Sequence, residues 1–214
     1  MIDRIKAKQE FKKYVEAYDI NNDKIAIKVA HTYRTADVAE QIAKSVMTNE
    51  TNINLAWLIG LLHDIGRFEQ LRIYDTFNDR ISIDHADFGV KILFEDRLIE
   101  RFIDERKYDD IIYKAIKNHN KFRIEDGLNE QELLHAKIIR DADKTDIYEV
   151  HVKDIEAEEH VLYDEEIITK ELDVSEYWLN SAIENGKKGE EAYADLYQEY
   201  EKTAIPNLIE EFLS

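Results

Sequence analysis

The feature that most constrains the fold is the near absence of residues that interrupt helices. The 214-residue chain contains one proline, Pro206, and six glycines. Apolar residues recur at intervals of three and four along long charged stretches, which places them on one face of a helix. Because so few breaks separate these stretches, the pattern predicts an all-α fold.

Length and composition predict one soluble domain that spans residues 1–214. The chain is 44% hydrophobic and 36% charged, and it is long enough for one well-buried core. No apolar run reaches the roughly 18 residues that a membrane span needs. The first residues, MIDRIKAKQEFKK, lack the apolar core of a secretory signal. We therefore expect a cytoplasmic protein with no membrane partner.

Charge and cysteine usage narrow the classes of ligand. A net charge of −18 argues against a large nucleic acid as the main partner. A small phosphorylated ligand would need a local metal ion or cation cluster to overcome this charge. The chain has no cysteine, so disulfides are excluded and any metal must be held by nitrogen and oxygen ligands.

The segment from Trp57 to Phe68, WLIGLLHDIGRF, carries His63 and Asp64 at the end of an apolar run. Burying ionisable groups there is costly unless a metal or another partner compensates. Adjacent helical residues point about 100° apart, so both could reach one ion only at a distorted or terminal turn. Gly66 predicts the end of a helix that begins near Asn54. Two interpretations stay open: a ligand pair, or Asp64 as a cap with His63 filling space.

Further metal-capable side chains lie on other predicted helices. His31 lies on the apolar stripe of a helix over about 24–47, one turn before Arg34, where a buried core histidine is the simpler interpretation. His85 lies in the first turn of another helix, where the helix dipole favours a neutral imidazole, although an exposed histidine fits as well. His119 closes a further helix. Between these helices, an irregular stretch near residues 68–82 predicts a short helix and a loop that could cover a site.

The segment 140–146, RDADKTD, concentrates charge on a helix predicted over about 130–152. A charge run is usually a solvated helix face, but the isoleucines directly before this one place at least one carboxylate near the core. We choose Asp143, with Asp141 as the alternative. Asp143 and Asp146 are three residues apart and therefore neighbours on one face.

The order of these residues resembles that of the HD superfamily of metal-dependent phosphohydrolases. The matching motifs are HTYR at 31–34, LLHDIGRF at 61–68, DHADFG at 84–89, NHNK at 118–121 and RDADKTD at 140–146. They imply a compact multi-helix domain of the HD type with its core at about 24–150, followed by additional helices at about 154–214. The sequence departs from the family pattern at Thr145, where the family usually has leucine.

The resemblance implies a ligand set and a reaction. His31, His63, Asp64 and Asp143 would ligate one divalent metal, and His85 and His119 match positions that bind a second metal or substrate phosphate. The implied reaction is hydrolysis of a small phosphorylated substrate, expected to be a nucleotide, by a metal-activated water. Asp64 would accept a proton, and His85 and His119 would protonate the leaving oxygen.

The choice of metal follows from coordination number. Four protein ligands on a six-coordinate ion leave two positions for water and substrate, whereas the same four would close tetrahedral zinc. Manganese, iron, nickel or cobalt is therefore favoured over magnesium or zinc. Two imidazoles and two carboxylates around one divalent ion carry little net charge, so Arg34, Arg67 and Lys144 are expected to hold the phosphate.

Two other functions use the same residues. One is a nucleotide-sensing or nucleotide-binding module that keeps the metal without turnover. The other is a di-iron oxygenase on the same fold, in which His85 and His119 complete a two-metal site. The sequence leaves open whether one ion or two are bound, whether the chain forms a homo-oligomer, and what the C-terminal helices do.

Overall fold

The computed structural model describes the backbone of residues 2–156 and the side chains of residues 2–146. Over this range the regular elements are all helical, which confirms the predicted fold class. None of the described helices combines the length and hydrophobicity that a membrane crossing needs. The α-helices are α1 (Arg4–Val15), α2 (Asp23–Val46), α3 (Glu50–Leu62), α4 (Ile65–Tyr74), α5 (His85–Val90), α6 (Asp109–Asn118) and α7 (Glu130–Glu156). A π-helical turn (Lys91–Glu95) and two 3-10 turns (Leu98–Arg101 and Arg106–Tyr108) lie between α5 and α6.

Backbone contacts divide the chain after Val150, and the site described below lies in the first unit, 1–150. That one domain spans 1–214 stays a prediction. The additional helices predicted at about 154–214 lie outside the described residues, except for the last residues of α7.

Polar side chains begin the helices by capping free backbone amides. Asn22 accepts a hydrogen bond from Lys24 N, and Asn129 accepts from the amides of Gln131 and Glu132. Asn49 accepts from the amides of residues 51 and 52. α3 therefore begins at Glu50, and the prediction of a loop before Asn54 is wrong because this polar stretch forms a capped first turn.

The apolar helix α3 lies at the centre of the core. Trp57, Leu58, Ile59, Leu61 and Leu62 are all buried, so from Leu55 onward α3 presents no polar face to solvent. It packs against α1, α2 and α6. Because its buried C-terminal end carries His63, the packing of α3 also positions the candidate site.

Aromatic side chains from the N-terminal segment secure the start of α4. The rings of Phe11, Tyr14 and Tyr18 lie 5.9, 6.0 and 5.8 Å from the ring of Phe68. The Tyr14 hydroxyl donates a hydrogen bond to the Ile65 carbonyl at 3.1 Å. The residue directly after Asp64 is therefore held by packing as well as by hydrogen bonding.

Candidate metal centre

Six histidine and aspartate side chains from five parts of the fold converge in the interior. Each is at most 5% exposed: His31, His63, Asp64, His85, His119 and Asp143. α2 supplies the first, the α3–α4 junction the next two, and α5, the end of α6 and α7 the remaining three. The structure thus brings together the six residues that the sequence singled out as candidate ligands.

A tight turn between α3 and α4 lets neighbouring residues face one point. α3 ends at Leu62, His63 caps it, and Asp64 leaves helical geometry with φ −100° and ψ 17° before α4 begins. The side chains at 63 and 64 are therefore not held 100° apart. A helix end was predicted near this position, but Gly66 does not cause it, since Gly66 lies inside α4.

Gly66 instead permits close contact between α4 and α5. A Cβ atom at Gly66 would lie 2.7 Å from the nitrogen of Gly89, which real side chains do not tolerate. This contact places the start of α5, and with it His85, beside the α3–α4 junction. Gly60 plays the same part between α3 and α2, because a Cβ there would lie 2.6 Å from the Ala36 Cα.

The first group of donor atoms comes from α2, the α3–α4 junction and α7. His31 Nε2 lies 3.2 Å from His63 Nε2 and 3.1 Å from Asp143 Oδ1. His63 Nε2 lies 3.5 Å from that same oxygen. Asp64 Oδ2 lies 3.6 and 3.7 Å from the two imidazole nitrogens. We name His31, His63 and Asp143 the first half of the site.

The second group lies on the other side of Asp64. His85 Nε2 and His119 Nε2 are 3.0 Å apart, and they lie 3.5 and 3.7 Å from Asp64 Oδ1. We name His85 and His119 the second half. Asp64 therefore directs one carboxylate oxygen to each half, an arrangement suited to one ion in either half or to two ions that share this carboxylate.

The hydrogen bonds of the outer ring nitrogens define the tautomer of each histidine. Each Nδ1 faces an oxygen that only accepts, so it must carry a proton. The four pairs are His31 with Asp146 at 2.6 Å, His63 with the Gly60 carbonyl at 2.8 Å, His85 with Asp79 at 2.6 Å, and His119 with the Ile116 carbonyl at 2.7 Å. In the neutral rings every Nε2 then carries a lone pair.

These four lone pairs point at one another and at carboxylate oxygens. At separations of 3.0 to 3.7 Å, groups that only accept repel unless protons or a cation lie among them. Imidazole Nε2 and carboxylate oxygen are ligands for divalent metals, and an Nδ1–H bonded to a carboxylate or carbonyl is the usual support for a ligating histidine. The donor set therefore fits a divalent metal.

Two supporting carboxylates were not among the predicted site residues. Asp146 receives the Nδ1–H of His31 and a two-point contact from Arg34 at 2.6 and 3.0 Å. Its position three residues after Asp143, on the same face of the helix, is the sequence signal that could have identified Asp146. Asp79, which supports His85, receives hydrogen bonds from Arg67 at 2.9 Å and Gln70 at 2.8 Å. It lies in the irregular stretch after α4, where no periodicity pointed to it.

Lys28 was also missed. Its ammonium lies 3.2 Å from Asp64 Oδ2, and the residue is 4% exposed. The ring of Phe77, from the loop between α4 and α5, lies 5.4 Å from the ammonium. Lys28 precedes His31 by three residues on one helix face, which is the signal that could have identified it.

Each carboxylate of the cluster and each supporting carboxylate lies beside a basic side chain. The four pairs are Asp64 with Lys28 at 3.2 Å, Asp79 with Arg67 at 2.9 Å, Asp143 with Lys144 at 3.8 Å, and Asp146 with Arg34 at 2.6 Å. The charge of a bound divalent ion would therefore not be cancelled by the protein, and it would attract an anion. Since Arg34, Arg67 and Lys144 face carboxylates here, their binding of phosphate stays a prediction.

Burial and these charges move the pKa values of the cluster in different directions. Burial lowers the pKa of His31, but hydrogen bonds to Asp143 and Asp146 outweigh burial and raise it. Burial, followed by the charge of Arg67, lowers the pKa of His85 to about 4. Burial opposes ionisation of Asp64, yet Lys28 and then His63 hold its pKa well below the usual range.

The structure separates the two aspartates between which the sequence left a choice. The carboxylate of Asp143 lies against His31 and His63. Among the described residues, Asp141 belongs to none of the histidine and acid groups that are close enough to share an ion. It is half-buried on α7, and its carbonyl accepts a hydrogen bond from Thr145.

Comparison with known proteins agrees with this arrangement. The family model of the HD domain matches residues 29–178, which is more than half of the chain. The matched range includes all six residues of the cluster. No curated protein and no solved structure matches the chain.

Proposed function

The chain belongs to the HD-domain family, and on that premise we propose that it is a metal-dependent phosphohydrolase. Its substrate would be a small phosphorylated molecule, with a nucleotide as the expected class, and water would be the nucleophile. One observation carries the proposal: the Nδ1 atoms of four imidazoles face oxygen acceptors, and their Nε2 atoms are directed at one another and at Asp64 inside the protein. Such a donor set has little use except to bind a cation.

We assign His31, His63, Asp64 and Asp143 as the ligands of one divalent ion. His85 and His119 would hold a second ion with Asp64, or contact the substrate. When bound, such an ion acidifies a water molecule and polarises a phosphoryl oxygen. Manganese, iron, nickel or cobalt suits these ligands best, because histidine nitrogen disfavours magnesium and four ligands would close a zinc site.

The protein's own groups would orient the ligands and handle protons. Asp146 and Asp79 hold the Nδ1 protons of His31 and His85, which keeps each Nε2 free to bind. Asp64 is ionised at neutral pH, and we assign to it the role of proton acceptor. His85, with a pKa of about 4, is neutral at that pH. His85 is therefore better suited to ligation than to proton donation.

The test is metal analysis followed by a substrate panel. Purified protein is expected to contain a divalent metal, and a panel of nucleotides and phosphomonoesters with manganese, cobalt, nickel or magnesium should release phosphate or nucleoside. His63→Ala should lose both the metal and the activity, whereas Lys24→Gln, an exposed change on α2, should keep both. If no member of the panel is hydrolysed by metal-loaded protein, the hydrolase proposal fails.

The position of Asp64 between two histidine pairs also favours a second candidate, a di-iron oxygenase. Two iron ions that share the Asp64 carboxylate would form the two-metal site that such an oxygenase requires. This candidate predicts two irons per chain and oxygen consumption without phosphate release. Measuring iron content, oxygen consumption and phosphate release on the same purified protein therefore distinguishes the two functions. A nucleotide-binding module without turnover would show neither activity but would retain metal and nucleotide.

A further inference from the structure

The inference concerns Lys28, a buried lysine whose ammonium pairs with Asp64, one of the proposed metal ligands. Its ammonium shares Asp64 Oδ2 with two imidazole nitrogens: Nζ lies 3.2 Å from that oxygen, and the Nε2 atoms of His31 and His63 lie 3.6 and 3.7 Å from it. A divalent ion held by these nitrogens would have a buried ammonium as its neighbour. Two cations side by side in a dry interior repel each other strongly.

An anion that contacts both cations removes this repulsion. Two other basic side chains bind acids outside the proposed ligand set: Arg34 binds both oxygens of Asp146, and Arg67 contacts Asp79. Lys28 Nζ lies 3.2 Å from the carboxylate between the two halves of the site, closer than Arg67 Nε, which lies 3.8 Å from it. The flexible side chain of Lys28 carries three N–H donors, so it can contact Asp64 and a phosphate oxygen together.

We propose that Lys28 binds the substrate phosphate, so that metal and phosphate bind to this site cooperatively. The inference rests on the proposed function, since it names the residue that recognises the phosphate at that same site. It also extends the sequence-based expectation, which assigned phosphate binding to Arg34, Arg67 and Lys144.

The experiment measures Mn²⁺ affinity in the presence and absence of inorganic phosphate, which requires no turnover. In the unmodified protein, phosphate should tighten Mn²⁺ binding, within the roughly 5- to 150-fold range usual for coupled ligands. Lys28→Gln should bind Mn²⁺ at least as well without phosphate, because a cation that competes for Asp64 has been removed. Phosphate should then have no effect on its Mn²⁺ affinity. Lys28→Arg should retain part of the coupling.

The matched control is Lys24→Gln, one turn earlier on α2 and exposed, which should keep the full coupling. If circular dichroism shows that Lys28→Gln is unfolded, Lys28→Met, which keeps the apolar stem, replaces it. Coupling of equal size with and without Lys28 overturns the inference, and so does an unmodified protein whose Mn²⁺ affinity ignores phosphate.

These outcomes are separable from failure of the proposed function. If no substrate is hydrolysed but the coupling depends on Lys28, the site is a phosphate-binding metal site without turnover, and the inference holds. If substrates are hydrolysed and the coupling is unchanged in Lys28→Gln, the hydrolase proposal stands and the assignment of Lys28 falls.

Discussion

The two halves of the site are built from different kinds of structure. The first half comes from the long helices α2 and α7 and the end of the buried helix α3, and the carboxylate that supports His31 lies on α7 itself. The second half comes from the start of the six-residue helix α5 and the end of α6. Its supporting carboxylate, Asp79, comes from a loop. We infer that the first half is the better-ordered metal position and that the second depends on how the loop is held.

The loop between α4 and α5 is held mainly through one buried arginine. Arg67 donates from one guanidinium nitrogen to Asp79, to Gln70 and to the Phe77 carbonyl. Gln70 donates in turn to Asp79, Ser82 and the Ile83 carbonyl. His85 therefore depends on an ordered loop for its support, whereas the groups that support His31 and His63 lie on helices.

Asp64 should be the most sensitive position, because it belongs to both halves. Asp64→Asn is expected to lower hydrolysis by roughly 100- to 1000-fold, as loss of a key electrostatic group does in other active sites. It also removes the carboxylate that pairs with the buried ammonium of Lys28, so the free energy of unfolding of the metal-free protein should fall by about 3–5 kcal/mol. Metal analysis, a hydrolysis assay and urea unfolding measure the three effects.

Asp141→Asn is the matched control on α7, because it removes an aspartate near the site but outside the cluster. It should keep metal content and activity. If Asp141→Asn loses the metal and Asp64→Asn keeps it, the assignment of the cluster as the metal site is wrong.

The supporting aspartates should distinguish the two halves. An asparagine amide at 146 or 79 can donate to Nδ1, which would move the imidazole proton to Nε2 and block the ligand lone pair. Each substitution should lower metal affinity by roughly 10- to 100-fold. Asp146→Asn should weaken the tighter ion, whereas Asp79→Asn should weaken only a second, looser ion. Calorimetric titration of metal-free protein with Mn²⁺ measures the affinities of the tighter and the looser ion separately. Equal weakening of one ion by both substitutions would contradict the division into halves.

The halves should also respond to pH with opposite sign in metal-free protein. His85 has its pKa lowered to about 4, so its contribution to stability is present above the unfolded pKa of about 6.5 and is lost as pH falls from about 6.5 to about 4. The loss amounts to about 1.4 kcal/mol per pH unit. His31 has its pKa raised, so its contribution is complete below about 6.5 and is lost as pH rises through its folded-state pKa.

Urea unfolding with a chelator at several pH values tests this. The stability difference between the unmodified protein and His85→Gln should shrink on acidification. The difference for His31→Gln should instead grow as pH falls through the raised folded-state pKa of His31 and stay constant below about 6.5. Differences that move in the same direction for both variants would show that the two imidazoles share one electrostatic environment.

The sequence was sufficient for the parts of the site that follow helical periodicity. The stripe that carries His31, the apolar run that ends at His63, and the charge run that contains Asp143 each predicted a helix, and the family's motif order linked them. The sequence did not predict that Gly66 permits close contact between α4 and α5. A glycine that allows close packing has the same local sequence pattern as one that ends a helix. Asp79 was missed for a related reason: its position depends on the contact with Arg67 across a loop.

The smallest effect is expected at Thr145, where the family usually has leucine. Thr145 lies between Asp143 and Asp146 on α7, but its hydroxyl donates to the Asp141 carbonyl at 2.8 Å, one turn earlier on the same helix. Thr145→Leu removes that bond and adds apolar volume at a half-buried position, so the free energy of unfolding should change by less than about 1.5 kcal/mol. Metal affinity should stay the same, since the flanking aspartates keep their contacts with His31. A loss of metal affinity in this variant would mean that the first half depends on the packing of α7 and is less firmly held than its long helices indicate.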